Sequence, residues 1–258
     1  METKKQTNED KFRLVLSETK PVFEAMRVLN NFHNEVKISI NNDGISIIEM
    51  DPANIELSIL NIDSCAFTDY CITEKAEICI NLKQFLDILK SVKKNEYLYI
   101  EQKKRDSEYL TLKVVGNSER IIRMPLIEIS ENYRKIPELE HRVILKIDSK
   151  EFSEQMKNLK NSGESIGFKF KENEFNLFNE TGMTENIVNI NADILYKKDL
   201  ETAEKCKYST EYLTKISRAF KISDSVIIKF NEDYPAIFEY KIEDKLKLNL
   251  ILAPRVGN

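Results

Sequence analysis

The chain has no tryptophan and only six glycines, six prolines and two histidines in 258 residues. So few glycines leave no glycine-rich loop to cradle a phosphate, so nucleotide-binding folds built on such loops are not expected. His33 and His141 stand far apart, and Cys65, Cys71, Cys79 and Cys206 show no C-x-x-C spacing. A zinc site is therefore not expected, nor any other metal or cofactor, and the cysteines read as free thiols packing as small hydrophobes in a reducing compartment. No apolar run is long enough to cross a membrane, and the opening METKKQTNEDK lacks the apolar stretch of a secretion signal. An intracellular protein without a membrane partner is expected. Residues 1–11 read as a short disordered tail.

What the chain has is a repeat. Arg13 onward (RLVLSETKPVFEAM) overlays Arg142 onward (RVILKIDSKEFSEQM), pairing Leu14 with Val143, Leu16 with Leu145 and Phe23 with Phe152. One residue of drift, expected in a loop, then sets VKISINNDGISII (residues 36–48) over IGFKFKENEFNLF (residues 166–178). INLKQFLDIL (residues 80–89) meets KYSTEYLTKI (residues 207–216). Two domains of one fold follow, 12–124 and 141–258, joined by a linker over 125–140.

Local patterns give the class. Thr19 before Lys20-Pro21 starts a helix with apolar residues at Val22, Phe23, Met26, Leu29 and Phe32, and a second helix runs from Leu82 to Lys94. Alternating residues on either side of Asn41-Asn42-Asp43-Gly44 mark a hairpin. Further strands are expected at 55–59, 76–80, 97–101, 109–115 and 119–124. The second half repeats the order, with helices over 150–161 and 210–221. The class is α+β: antiparallel sheets with two helices per domain.

Charge is unevenly distributed. The total is −4, which argues against indiscriminate coating of nucleic acid. The four helices nonetheless carry Lys20, Arg27, Lys83, Lys90, Lys93, Lys94, Lys150, Lys157, Lys160, Lys215, Arg218 and Lys221 against fewer acids, Glu24, Asp87, Glu151, Glu154 and Glu211. Lysine is an ordinary solvated helix former. The same bias in four helices of an acidic chain points instead to phosphate contact, and without base-reading motifs that contact is sequence-independent.

Several segments in order then resemble the sliding clamps of the proliferating cell nuclear antigen family, especially archaeal ones. They are GISIIEMDPANIELSIL (residues 44–60), INLKQFLDILK (80–90), MPLI (124–127), KYSTEYL (207–213), YPAIFEYKI (234–242) and LAPRV (252–256). The resemblance implies a non-enzymatic ring of three subunits, helices lining a central hole and sheets outside. It implies that double-stranded DNA is met by Lys20, Arg27, Lys83, Lys90, Lys157, Lys215 and Arg218, with Lys93, Lys94, Lys160 and Lys221 as further candidates. A partner-peptide pocket is implied at Met50, Ile55, Leu57, Ile136, Pro137, Pro235, Ile251, Ala253 and Pro254, serving DNA polymerase, clamp loader, flap nuclease and ligase. Ring closure is implied between edge strands 119–124 and 185–191, with Arg120 and Arg123 opposite Glu185. Departures are Asp87, where the family often has a basic residue, and Tyr133, Arg134 and Lys135, where it has aliphatic ones. Two alternatives stand beside this: one subunit of a heterotrimeric or checkpoint-type clamp built with paralogous chains, and, more remotely, a metal-dependent nuclease using Glu49 and Asp51.

Overall fold

The computed structural model describes residues 10–128, 136–181, 184–198 and 202–255. The chain separates into two units, neither continuous in sequence. The first holds Met1–Glu49, Leu60–Tyr133 and Glu243–Leu246; the second holds Met50–Ile59, Arg134–Ile242 and Lys247–Asn258.

In chain order the first half runs β1 (Asp10–Leu16), α1 (Lys20–Leu29), β2 (Glu35–Asn41), β3 (Gly44–Met50), β4 (Glu56–Asp63), β5 (Asp69–Ile72), β6 (Ala76–Asn81), α2 (Leu82–Ser91), β7 (Tyr97–Lys103), β8 (Asp106–Val115) and β9 (Glu119–Pro125). Its strands lie in the orders β5-β1-β7-β8-β9 and β4-β3-β2-β6. The second half follows with β10 (Val143–Asp148), α3 (Ser149–Leu159), β11 (Ser165–Lys171), β12 (Glu174–Thr181), β13 (Thr184–Ile190), β14 (Asp193–Lys197), β15 (Glu204–Ser209), α4 (Thr210–Ile216), a 3₁₀ turn over Ser217–Lys221, β16 (Ser225–Phe230), β17 (Ala236–Ile242) and β18 (Leu246–Leu252). Its orders, β14-β10-β16-β17-β18 and β13-β12-β11-β15, are those of the first half strand for strand. The α+β class and the internal duplication are thus what the structure has. Within the units α1 packs on α2, and α3 on α4 and the 3₁₀ turn.

The hairpin forms as its sequence predicts. Asn41 pairs with Gly44, and the Asn41 carboxamide oxygen accepts from the backbone N–H of Asp43 at 2.8 Å. Gly44 sits at φ +150°, and a Cβ there would fall 2.1 Å from the Ile62 carbonyl oxygen, so only glycine fits this turn.

Four expectations are corrected. The one-residue drift lies in the first turn of the helices rather than in a loop. Val22, Met26 and Leu29 are buried in α1 where Phe152, Met156 and Leu159 are buried in α3, and Phe23 is only half-buried. Helix α2 stops at Ser91, because Val92 turns extended (ψ 125°) and the Ser91 hydroxyl donates to the Ile88 carbonyl. Lys93 and Lys94 lie beyond the helix, in a turn where the Lys93 N–H donates to the Glu96 carboxylate. The last helix tightens to 3₁₀ after Ile216. Strand β5 went unread, and β1 begins at Asp10, inside the expected tail; residues 1–9 lie outside the described residues.

The cores differ in kind. The first unit is mostly aliphatic, whereas the second is built on Phe168, whose ring meets Phe152, Phe175, Tyr208, Phe230 and Phe238 at centroid distances of 5.1 to 6.5 Å. Helix α2 is capped by Asn81, whose side-chain oxygen accepts from the Gln84 N–H at 3.0 Å. Asn81→Ala is expected to lower stability by about 1 kcal/mol, read by urea titration; an unchanged midpoint would mean the cap contributes nothing.

Candidate partner cleft and basic helices

The second unit carries a cleft of about 760 Å³ whose walls include Ile55, Tyr212, Ala253 and Pro254 alongside Lys160, Lys215, Arg218 and Arg255. Its shape is held by one carboxylate. Asp51 is 3% exposed. Its Oδ1 accepts from the backbone N–H groups of Ile55 and Glu56, both at 2.7 Å. Its Oδ2 accepts from the Tyr212 hydroxyl at 2.5 Å and the Ala53 N–H at 3.3 Å. Burial opposes the charge of Asp51, but these bonds, that from Glu56 foremost, outweigh it and hold the carboxyl below its ordinary range. The loop between β3 and β4 is thereby locked, with Asn54 in the left-handed region at φ 55°. Ile55 is positioned as one wall, and the Tyr212 ring is fixed as another. The Ile55 carbonyl also accepts from the Ala253 N–H at 2.9 Å, tying the loop to the carboxyl-terminal segment.

The structure brings together Ile55, Ala253 and Pro254 of the expected pocket. Met50, at the end of β3, is half-buried, Leu57 and Ile251 lie in the core, and Pro235 is half-buried. The Pro235 carbonyl accepts the Nε2–H of His141 at 2.9 Å, and burial pushes that imidazole below its ordinary range. Ile136 is 43% exposed and Pro137 is exposed, while Tyr133, Arg134, Lys135 and Val256 lie outside the described residues. The start of the linker is pinned: Leu126 donates to the Glu108 carbonyl and Ile127 to that of Cys79. Sequence reading missed Asp51 and Tyr212 as a supporting pair, because the bond between them spans 161 residues.

Of the basic residues expected to face DNA, Lys20 opens α1, Lys83 and Lys90 lie on α2, Lys157 on α3 and Lys160 at its end, with Arg218 and Lys221 on the 3₁₀ turn; all are exposed, as are Lys93 and Lys94. Arg27 is half-buried and pairs with Glu24 at 2.5 Å, and Lys215 with Glu211 at 2.6 Å. Lys160, Lys215 and Arg218 therefore share the cleft walls with the apolar residues, a combination no periodicity announces.

Strands β9 and β13 are edges of their sheets. Each presents a central isoleucine, Ile121 at 59% and Ile187 at 60% exposure. Arg120 is engaged at home, donating to the Ser91 carbonyl at 3.2 Å and lying 3.8 Å from Glu96. Arg123 lies over the Tyr109 ring at 4.5 Å, and Glu185 is exposed. The pair weighed for metal-dependent chemistry is otherwise occupied: Glu49 accepts the Lys37 N–H at 2.8 Å, and Asp51 is spent on the loop. Among the described residues no helix is long and apolar enough to cross a membrane.

Comparison with known proteins covers nearly the whole chain. Residues 12–132 match the family model for the proliferating cell nuclear antigen N-terminal domain and residues 135–255 that for its C-terminal domain. The chain is similar to DNA polymerase sliding clamp 1 of Thermococcus kodakarensis, 30% identical over 95% of this chain and 98% of that one. It is also similar to the DNA polymerase sliding clamp of Nanoarchaeum equitans, 28% identical over 94% and 99%. Among solved structures, the proliferating cellular nuclear antigen of Entamoeba histolytica superposes at a TM-score of 0.88, with 22% identity over 96% of this chain and 100% of that one. That of Thermococcus kodakaraensis superposes at 0.86, with 24% identity over 95% and 100%.

Proposed function

This chain belongs to the proliferating cell nuclear antigen family of DNA polymerase sliding clamps, and from that premise we propose that three copies close edge to edge into a ring around duplex DNA and tether replication and repair enzymes to it. Clamps of this family are processivity factors rather than enzymes, so the work lies in holding: a tethered polymerase meets its template at raised local concentration. The observation that carries the reading is the placing of exposed lysines on helices of both halves, Lys20, Lys83, Lys90 and Lys157 above all. Many weak phosphate contacts, none to base edges, hold DNA without fixing a position on it. The cleft at Ile55, Ala253 and Pro254 supports the second half of the proposal, a docking site for short apolar plugs carried by DNA polymerase, clamp loader, flap nuclease and ligase.

Retention on closed circular against linear duplex is the test. The loaded protein is expected to stay on circles and to leave linear DNA from its ends. Changing Lys20, Lys83, Lys90 and Lys157 together to alanine is expected to cut retention or loading at least several-fold, with no change in sequence preference or in binding of plug peptides, since none of the four lines the cleft. Equal residence on circles and linear DNA would overturn encirclement.

A further inference from the structure

We propose that strand β14 is a second docking edge, separate from the cleft, and that it takes an extended partner segment in which large apolar residues are followed by carboxylates. Seven large apolar residues stand exposed among the described residues, and three of them are consecutive here: Ile194 at 36%, Leu195 at 51% and Tyr196 at 49%. A single exposed apolar residue is ordinary, whereas a contiguous run marks an interaction surface. The other sheet edges are accounted for. Along β6 the Ile127 N–H donates to the Cys79 carbonyl, along β15 the Arg255 N–H donates to that of Lys207, and β9 and β13 are the edges assigned to ring closure. Strand β5, which holds in the first half the place of β14 in the second, is half-buried throughout. There Asp69 pairs with Arg13 at 2.7 Å, and the Tyr70 hydroxyl donates to the Asn41 carbonyl at 2.7 Å. Tyr196 makes no such bond among the described residues.

Backbone and charge together say what fits this edge. A bulge interrupts its pairing with β10: Tyr196 stands opposite Ile144 and Ile194 opposite Leu145, so Leu195 has no partner residue. A bulge spoils an edge for continuing the ladder. That disfavours a second copy adding its own strand, and leaves side chains as the main contact. Ile144 lies between the buried Val143 and Leu145, so Ile144 and Tyr196 share the outward face. Around them Lys146, Lys197 and Lys198 are exposed, and no carboxylate among the described residues pairs with any of the three. The Lys197 ammonium meets the neutral side chain of Asn173 at 2.6 Å, and the Lys198 N–H donates to the Arg142 carbonyl at 2.9 Å, fixing the end of the strand. Asp193 is the one acid of β14. Three cations and one anion leave the edge positive in a chain whose total is −4. An apolar surface with a positive rim complements an apolar segment that carries carboxylates. Duplex DNA matches the rim but gains nothing from the apolar residues.

Two labelled peptides, each with three large apolar residues followed by two aspartates in one and two asparagines in the other, are titrated with the intact protein and read by fluorescence anisotropy. The aspartate peptide is expected to bind about five-fold tighter at low ionic strength, the difference closing at high salt and in Lys197→Gln/Lys198→Gln. Leu195→Ser/Tyr196→Ser is expected to cut the affinity for both peptides at least several-fold. Circular dichroism and native mass are expected to stay as in the wild type, since both side chains are largely solvated within one chain. Plug peptides of the form Q-x-x-aliphatic-x-x-aromatic-aromatic are expected neither to displace the aspartate peptide nor to lose affinity in these variants, so failure at β14 and failure at the cleft are read separately. No binding by either peptide, or binding that Leu195→Ser/Tyr196→Ser leaves intact, overturns the proposal. Equal affinities for the two peptides overturn the acidic partner. A native mass that rises with concentration in the wild type but not in Leu195→Ser/Tyr196→Ser gives the edge to a second copy and overturns it likewise.

Discussion

Ile187→Lys is expected to drop the native mass in light scattering from about 90 kDa, three chains in closed cyclic symmetry, to the 30.2 kDa of one chain. Ile187 stands in the middle of edge strand β13, 60% exposed, and Ile121 holds the matching place on edge strand β9 at 59%. Edge-to-edge pairing of the two would bury both isoleucines and satisfy two rows of open backbone groups. A lysine on an edge strand is a standard block to such pairing, and here it would also face Arg120 and Arg123. Because Ile187 is largely solvated within one chain, the fold is expected to survive, with unchanged circular dichroism. Ile194→Lys is the control: it lies on β14, another apolar edge, and is expected to leave the mass unchanged. A wild-type mass for Ile187→Lys with dissociation of Ile194→Lys would move closure to β14. A wild-type protein that is monomeric at micromolar concentration would instead call for paralogous subunits.

Asp51→Ala is expected to cost about 3 kcal/mol of stability and to abolish capture of plug peptides. The substitution removes the acceptor of the Ile55 and Glu56 N–H groups, the latter belonging to a residue with no exposed surface, and of the Tyr212 hydroxyl. Bonds to a charged acceptor contribute more than neutral ones, and a buried donor left without a partner carries its full desolvation cost. The pH dependence follows from the direction of the shift. The folded carboxyl titrates below its unfolded value, so its contribution is complete above about pH 4 and fades as the pH falls through the folded value. Urea titrations of both proteins are expected to show a constant gap from neutral pH down to about 5 and a shrinking one in acid. A gap that widens in acid would contradict the assignment. Tyr212→Phe, which removes only one of the bonds, is expected to cost about 1 kcal/mol and to weaken the peptide without eliminating it.

Sequence periodicity revealed what depends on neighbours along the chain. The Asn41–Gly44 turn, the apolar faces of the helices and the duplication all leave local signatures, and each is found in the structure. Boundaries set by a single side chain were misread: α2 ends where Val92 swings extended, although Lys93 and Lys94 are good helix formers. The Phe23–Phe152 match was persuasive because the rings are alike, yet burial follows Val22, since the first turn of α3 holds one more residue. At the cleft, Ile55, Ala253 and Pro254 were legible only through resemblance. The Asp51–Tyr212 bond, and the sharing of walls by basic and apolar residues, depend on parts of the chain far apart in sequence, and no pattern within either part encodes them.

The ten residues from Met50 to Ile59 belong with the second unit although the first half of the chain supplies them. A ribosome that stalls before the linker releases a polypeptide with Asp51 and Ile55 but no Tyr212, Ala253 or Pro254. A fragment made from the second half alone has the reverse. Neither truncated product holds all the residues of the cleft, so its walls come together only once Tyr212, Ala253 and Pro254 have joined the Met50–Ile59 segment.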